Sequence, residues 1–362
     1  MVLMFELSKL LRLLPAYALS YFCLICVLAF TCGCSQGDKG ASTNSDVKSD
    51  GTISLLNVSY DPTREFYSDY NKLFAKHFFE KTGHKVVIQQ SHGGSGKQAR
   101  SVLDGLRADI VTLALAYDVD VLVDHGLVNS QWQKRLPADA SPYTSAIVFL
   151  VRKGNPKKIL NWDDLLRSDV KVITPNPKTS GGARWNFLAM WGYLTIELGK
   201  SESEAFDYMK RLFKNVPVLD SGARGATTTF VQKEIGDVFL TWENEALLAL
   251  KEYGASKLEI IYPPVSILAQ PVVAVVDKNV NQRSEIARKA AEEYLAYLYS
   301  DEAQKLIAEH GYRPVNTNIL KDYRWKFPEI KMFTISQIAG DWRTAQKKFF
   351  EENGLFDKIF QN

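Results

Sequence analysis

The chain has 362 residues, 46% of them hydrophobic and 23% charged, with a formal net charge of +3. That is the composition of a globular protein long enough for one large or two medium domains with cores of their own. So small and dispersed a charge, without a Lys/Arg tract or a basic–aromatic stripe, argues against a nucleic-acid or membrane-surface partner.

The first elements form an export pattern. Lys9 and Arg12 precede an apolar run from Leu13 to Phe30, the small residues Thr31 and Gly33 follow, and a Ser/Gly/Asp/Lys/Asn stretch extends to Gly51. Residues 1–34 read as a secretory signal and 35–51 as a flexible tether, because so polar a stretch cannot form a core. The apolar run is nearly long enough to span a bilayer, so an uncleaved anchor is the competing reading. All four cysteines, Cys23, Cys26, Cys32 and Cys34, fall in this region. Thr31-Cys32-Gly33-Cys34 resembles the end of a bacterial lipoprotein signal, with Cys34 as the lipid attachment site and Thr31 where Leu is usual. The expected product is periplasmic, either tethered through Cys34 or released. It holds no disulfide and depends on its core.

From Thr52 onward strands alternate with helices. Thr52–Val58 is a β-branched, Leu-rich strand. Asp61 can cap a helix that Pro62 starts, and Phe66, Tyr70, Leu73, Phe74 and His77 recur at helical spacing along it. Lys85–Gln90 and the apolar Asp109–Ala116 are strands, with a helix after Ser95 between them. Tyr143–Arg152 reads as one strand, Asn161–Leu166 as a capped helix, and Val170–Thr174 as a strand before the long helix of Trp185, Leu188, Trp191 and Ile196. Val216–Leu219, Gly236–Thr241 and Pro271–Asp277 are further strands, and Glu245–Lys251 and Glu285–Tyr299 are helices. Trp342, Phe349 and Phe350 anchor helical patches in the tail. Such alternation implies an α/β fold with largely parallel sheets, whose ligands sit at the C-terminal ends of strands.

Four segments at such strand ends share one pattern, a Ser, Gly or Asp turn opening onto a helix. They are Tyr60-Asp61-Pro62-Thr63-Arg64, Ser91-His92-Gly93-Gly94-Ser95-Gly96-Lys97, Thr179-Ser180-Gly181-Gly182-Ala183-Arg184-Trp185 and Ser221-Gly222-Ala223-Arg224-Gly225. The first N–H groups of a helix have no intrahelical partner and lie at its positive end, and glycine lets an anion reach them. Taken singly, each turn is a good helix cap. Four of them, with Trp242 also at a strand end, suggest a site for a small oxyanion.

Other chemistries fit less well. A P-loop needs Gly at position 91 and Ser or Thr at 98, where this chain has Ser91 and Gln98. The five histidines lack ligand spacing, so no metal is expected. No Gly-x-Ser-x-Gly elbow is present at Ser95 or Ser180. A phosphate-ester hydrolase using His92 and Ser95 stays as the reading from another class.

The segment Leu55-Leu56-Asn57-Val58-Ser59-Tyr60-Asp61-Pro62-Thr63-Arg64-Glu65, the run Gln90–Gln98, the run Thr174–Asn186 and Asp220-Ser221-Gly222-Ala223-Arg224-Gly225 resemble the bacterial sulfate-binding proteins, periplasmic receptors of ABC importers. The resemblance extends from about Ser54 to the C-terminus. It implies a two-lobed type II periplasmic-binding-protein fold, with lobe 1 at 52–146 and 272–335, lobe 2 at 147–271, hinge crossings near Ile147 and Val272, and C-terminal helices at 336–362 packing across both. By the same resemblance, sulfate accepts backbone N–H bonds at Asp61, Ser95, Gly181, Gly182 and Ala223, the Ser180 hydroxyl and the Trp242 indole N–H. Thiosulfate is the alternative ligand, a membrane permease the partner, and the receptor is a monomer that needs no cofactor and performs no covalent chemistry. All seven groups are neutral donors, which suits a fully ionised oxyanion and offers nothing to the proton of hydrogen phosphate. Asp61 is expected to cap its helix and point away. Arg64, Lys97, Arg184 and Arg224 are either solvent-exposed helix charges or distant neutralisers, and none is a direct ligand.

Overall fold

The computed structural model describes residues 51–360. The apolar segment 13–30, Cys34 and the tether through residue 50 lie outside them. Among the described residues the β-branched runs assemble into two principal sheets, one per lobe. In the first, β1 (Ile53–Tyr60) pairs in parallel with β2 (Val86–Gly93) and with β3 (Ile110–Leu113), and β11 (Val272–Val275) runs antiparallel along β3. In the second, the order is β7 (Leu219–Asp220), β6 (Val172–Pro175), β8 (Val238–Trp242), β5 (Ile147–Arg152), β9 (Leu258–Ile261). Both sheets are therefore mostly parallel in strand direction, each with one reversed strand, β11 in the first and β5 in the second. These reversed strands are the first that the chain forms on changing from one principal sheet to the other, and they run against their neighbours.

Three expected elements differ in detail. Tyr143–Arg152 is broken into β4 (Tyr143–Thr144) and β5, because Ser145 leaves the ladder to exchange two backbone hydrogen bonds of 2.9 Å with Ala269. The strand expected at Val216–Leu219 shrinks to β7, since Pro217 has no N–H to give a ladder. Asn161–Leu166 forms a single 3-10 turn, closed by reciprocal hydrogen bonds between Asn161 and Asp164.

Helix α1 (Arg64–Thr82) buries Tyr70 and Phe74 against α7 (Glu285–Tyr297), where Tyr294 lies 5.0 Å from both, ring centre to ring centre, and Phe66 packs on Tyr143 and Tyr312. In lobe 2, α4 (Gly181–Gly192) is buried along its whole length, as its nearly uninterrupted apolar sequence requires. Its Trp185 meets Trp342 edge-to-face at 4.6 Å, and Phe187 packs on Phe349, Phe350 and Phe356. From that anchorage Arg343 reaches back to lobe 1 and grips the Asp124 carboxylate with two hydrogen bonds of 2.8 and 2.9 Å.

Candidate anion-binding cleft

Every strand that ends at the cleft hands the chain to a helix start. β1 ends at Tyr60, and Asp61–Thr63 form a 3-10 turn before α1. β2 ends at Gly93, and Ser95 is the first residue of α2 (Ser95–Leu103). β6 ends at Pro175, and Ser180 caps α4, its hydroxyl accepting from the Ala183 N–H at 3.4 Å. β7 leads to Ala223, the first residue of α5 (Ala223–Thr227), and Trp242 closes β8 just before α6 (Glu243–Tyr253). Side chains fix these turns from behind. Gln98, in the place a P-loop gives to Ser or Thr, donates to the carbonyls of Ser91 and Ser59 at 2.5 and 3.2 Å, so its role is to tie β2 to β1.

The lobes meet closely around these starts. A Cβ placed on Gly94 of lobe 1 would lie 2.7 Å from the Thr179 carbonyl oxygen of lobe 2, and one on Gly181 would lie 2.7 Å from the Ala114 Cβ and 3.0 Å from the Ser95 Cβ across the cleft. At Gly182 the same position is 2.2 Å from the Tyr60 hydroxyl and 3.3 Å from the Trp242 indole nitrogen. Tyr60, Pro62, Gly182, Ala223, Trp242 and Glu245 line one small cavity. Gly182, Ala223 and Trp242 thus share a wall, Ser95 packs against Gly181, and Asp61 sits between the lining residues Tyr60 and Pro62. The indole N–H of Trp242 and the Tyr60 hydroxyl are both buried without a hydrogen-bond partner.

One expectation about charge needs correction, that for Asp61, and of the two alternatives open for the basic residues exposure does not hold for Arg184. Asp61 caps nothing: its side chain makes no capping hydrogen bond and is held by Arg64 at 2.7 Å, because the chain enters through a 3-10 turn whose first residue, and not its cap, is Asp61. Arg184 is no exposed helix charge but is 6% exposed, donates to the Pro177 carbonyl at 2.9 Å and lies 3.4 Å from Asp118 of lobe 1. Arg224 pairs across the cleft with Glu65, and within lobe 2 lies 3.5 Å from Glu245. Lys97 is exposed.

Ser95 and His92 do not form a nucleophile–base pair. The Ser95 hydroxyl donates to Asp118 and accepts from the Ala114 N–H at 2.9 Å, while the Nδ1 of His92 is buried with no partner. Burial, reinforced by Arg64 and Arg224, lowers the His92 pKa to about 4, against a partial opposing pull from Asp61. Glu245 goes the other way: burial raises it to about 7, and Arg224 opposes that. Sequence reasoning passed over Tyr60 and Glu245 as wall residues. The signals were present, in a Tyr at the end of β1 and a Glu three residues after Trp242, one turn into a helix.

A pH prediction follows. Between its folded value near 4 and its unfolded value near 6.5, His92 binds more protons unfolded than folded, so its contribution to stability falls as pH falls through that window. Glu245 binds more protons when folded between about 4.5 and 7 and works in the opposite direction. His92→Gln should therefore lose less melting temperature than the unsubstituted chain between pH 6.5 and 4. Parallel melting curves across this range would remove His92 from the account.

The chain is similar to known proteins over most of its length. The family described as bacterial extracellular solute-binding protein matches residues 58–313. A protein of Salmonella typhimurium named sulfate-binding protein is 57% identical over 307 residues, 85% of this chain and 93% of its own length. The thiosulfate-binding protein of Pseudomonas aeruginosa is 50% identical over 84% of this chain and 92% of its own. The solved structure of the sulfate-binding protein SubI from Mycobacterium tuberculosis superposes with a TM-score of 0.72 at 32% identity, covering 82% of this chain and 99% of that one.

Proposed function

The chain belongs to the bacterial extracellular solute-binding proteins, and from that premise we propose that it binds sulfate in the periplasm and delivers it to an ABC-type importer. The observation that carries the reading is the meeting of helix starts from both lobes at Gly181 and Gly182, with the unpartnered indole N–H of Trp242 beside them. The contact set is the backbone N–H groups of Asp61, Ser95, Gly181, Gly182 and Ala223, the Ser180 hydroxyl and the Trp242 indole. These are neutral donors, and helix ends with local polarisation spread the dianion's charge. Arg184 and Arg224 are occupied by Asp118, Glu65 and Glu245 and hold the lobes together around the anion. Hydrogen phosphate would bring one proton to a site of donors, at a cost of about 1–3 kcal/mol.

Lobe boundaries near 146/147 and 271/272 are supported by the change of sheet before β5 and β11, and the receptor acts as a monomer in this reading. Tethering through Cys34 keeps it at the membrane that holds the permease.

Titration calorimetry with sulfate tests the set. Ser180→Ala and Trp242→Phe should each weaken binding by about 1–3 kcal/mol, the second variant keeping the ring and losing only the donor. Wild-type affinity in both would sink it. Thiosulfate is the second reading, favoured by the 50% identical thiosulfate-binding relative. A tighter titration with thiosulfate than with sulfate would rename the ligand and keep the site.

A further inference from the structure

Trp242 does not stand on a free strand end. It faces Ile147, the first residue of β5, and the next residue, Glu243, donates its N–H to the Ala146 carbonyl at 2.9 Å. The Glu243 carboxylate is fully buried and is gripped by Arg313, whose Nε and Nη2 donate to its two oxygens at 2.6 and 2.9 Å. Arg313 lies on β12 (Arg313–Pro314), which pairs with β4, so Arg313 stands opposite Thr144. Its remaining reach is fixed by the Pro328 carbonyl at 2.8 Å. Between these contacts, the Ser145 hydroxyl donates to the Asn244 side chain at 3.3 Å. Three successive residues of the inter-lobe crossing, Thr144, Ser145 and Ala146, therefore engage Arg313, Asn244 and Glu243 in turn.

We propose that Arg313 is a positioning residue for sulfate binding: through its two-pronged grip on Glu243 at the hinge, it aims the adjoining Trp242 indole N–H into the anion cavity. The inference rests on the sulfate-receptor reading above. A guanidinium–carboxylate pair with two parallel hydrogen bonds fixes direction as well as distance, which a single point charge does not. An indole N–H contributes fully only at hydrogen-bond distance and near-linear geometry, so small rotations at Glu243 reach the anion as lost binding. Arg313 comes from the returning segment of lobe 1 and Glu243 from lobe 2. Movement between the lobes is thereby carried directly into the orientation of Trp242.

A double-mutant cycle read by sulfate calorimetry tests this, with thermal melting as a control. Arg313→Lys keeps the charge and loses the fork, and should weaken sulfate binding tenfold or more in protein that is still folded. In the Trp242→Phe background, which no longer has an N–H to aim, the same substitution should cost little further affinity. Losses that multiply independently, or a lowered melting temperature with wild-type affinity, would overturn the proposal and leave Arg313 a structural pin. Should Arg313→Lys not fold, Glu243→Gln carries the same cycle from the other partner. An unsubstituted chain that fails to bind sulfate would instead refute the receptor reading itself.

Discussion

Gly94→Ala should leave the chain folded and weaken its hold on sulfate at least a hundredfold, about 3 kcal/mol. Gly94 precedes α2 with φ −59° and ψ 137°, a conformation alanine adopts without strain. The new methyl carbon would nevertheless lie 2.7 Å from the Thr179 carbonyl oxygen and 3.9 Å from that of Ser221, both on the opposite lobe. Neither oxygen can swing aside. Thr179 is bonded through its own N–H to Asn176, and its hydroxyl donates to the Ser221 carbonyl at 2.8 Å, so the two loops brace each other. The overlap is relieved by holding the lobes apart, which removes one lobe's donors from the anion and lets water in. Calorimetry with a melting curve separates the cases: an unchanged melt with lost affinity marks blocked closure, and wild-type affinity would show that the lobes need not approach this closely.

Local signals made much of this architecture legible. Glycine and capping residues announce a turn by their own chemistry, so the strand-to-helix junctions before Ser95, Gly181 and Ala223 could be placed from sequence. Strand direction was not legible for β5 and β11, because it depends on where the chain changes lobe and not on any residue in those strands. The ion pairs were equally hidden. Arg224 meets Glu65 across 159 positions and Arg184 meets Asp118 across 66, and periodicity along a helix says nothing about a partner on another lobe. Asp61 shows the opposite failure. Its residue type and its neighbour Pro62 fit a cap, and only the 3-10 turn reveals that its carboxylate is already taken by Arg64.

Gly182→Ala should be the more severe glycine substitution, although the helix would welcome it. Gly182 is the second residue of α4, where alanine is the better helix former, but the overlap with buried Tyr60 offsets that gain, so the melting temperature should fall modestly while the chain stays folded. The added methyl would sit 2.2 Å from the Tyr60 hydroxyl and 3.3 Å from the Trp242 nitrogen. Tyr60 is 1% exposed, and its ring lies against that of Trp242 at 5.5 Å, so it cannot give way without disturbing the donor beside it. Gly94→Ala spares the donors of each lobe and should retain weak binding. Gly182→Ala fills the space those donors face, and sulfate affinity should fall a thousandfold or more, about 4 kcal/mol. Ser180→Ala should also lower melting temperature and affinity together, through the lost cap on α4. A Gly182→Ala protein that stays folded and still binds sulfate as tightly as the unsubstituted chain would place the anion away from the start of α4, and the whole contact set would fall with it.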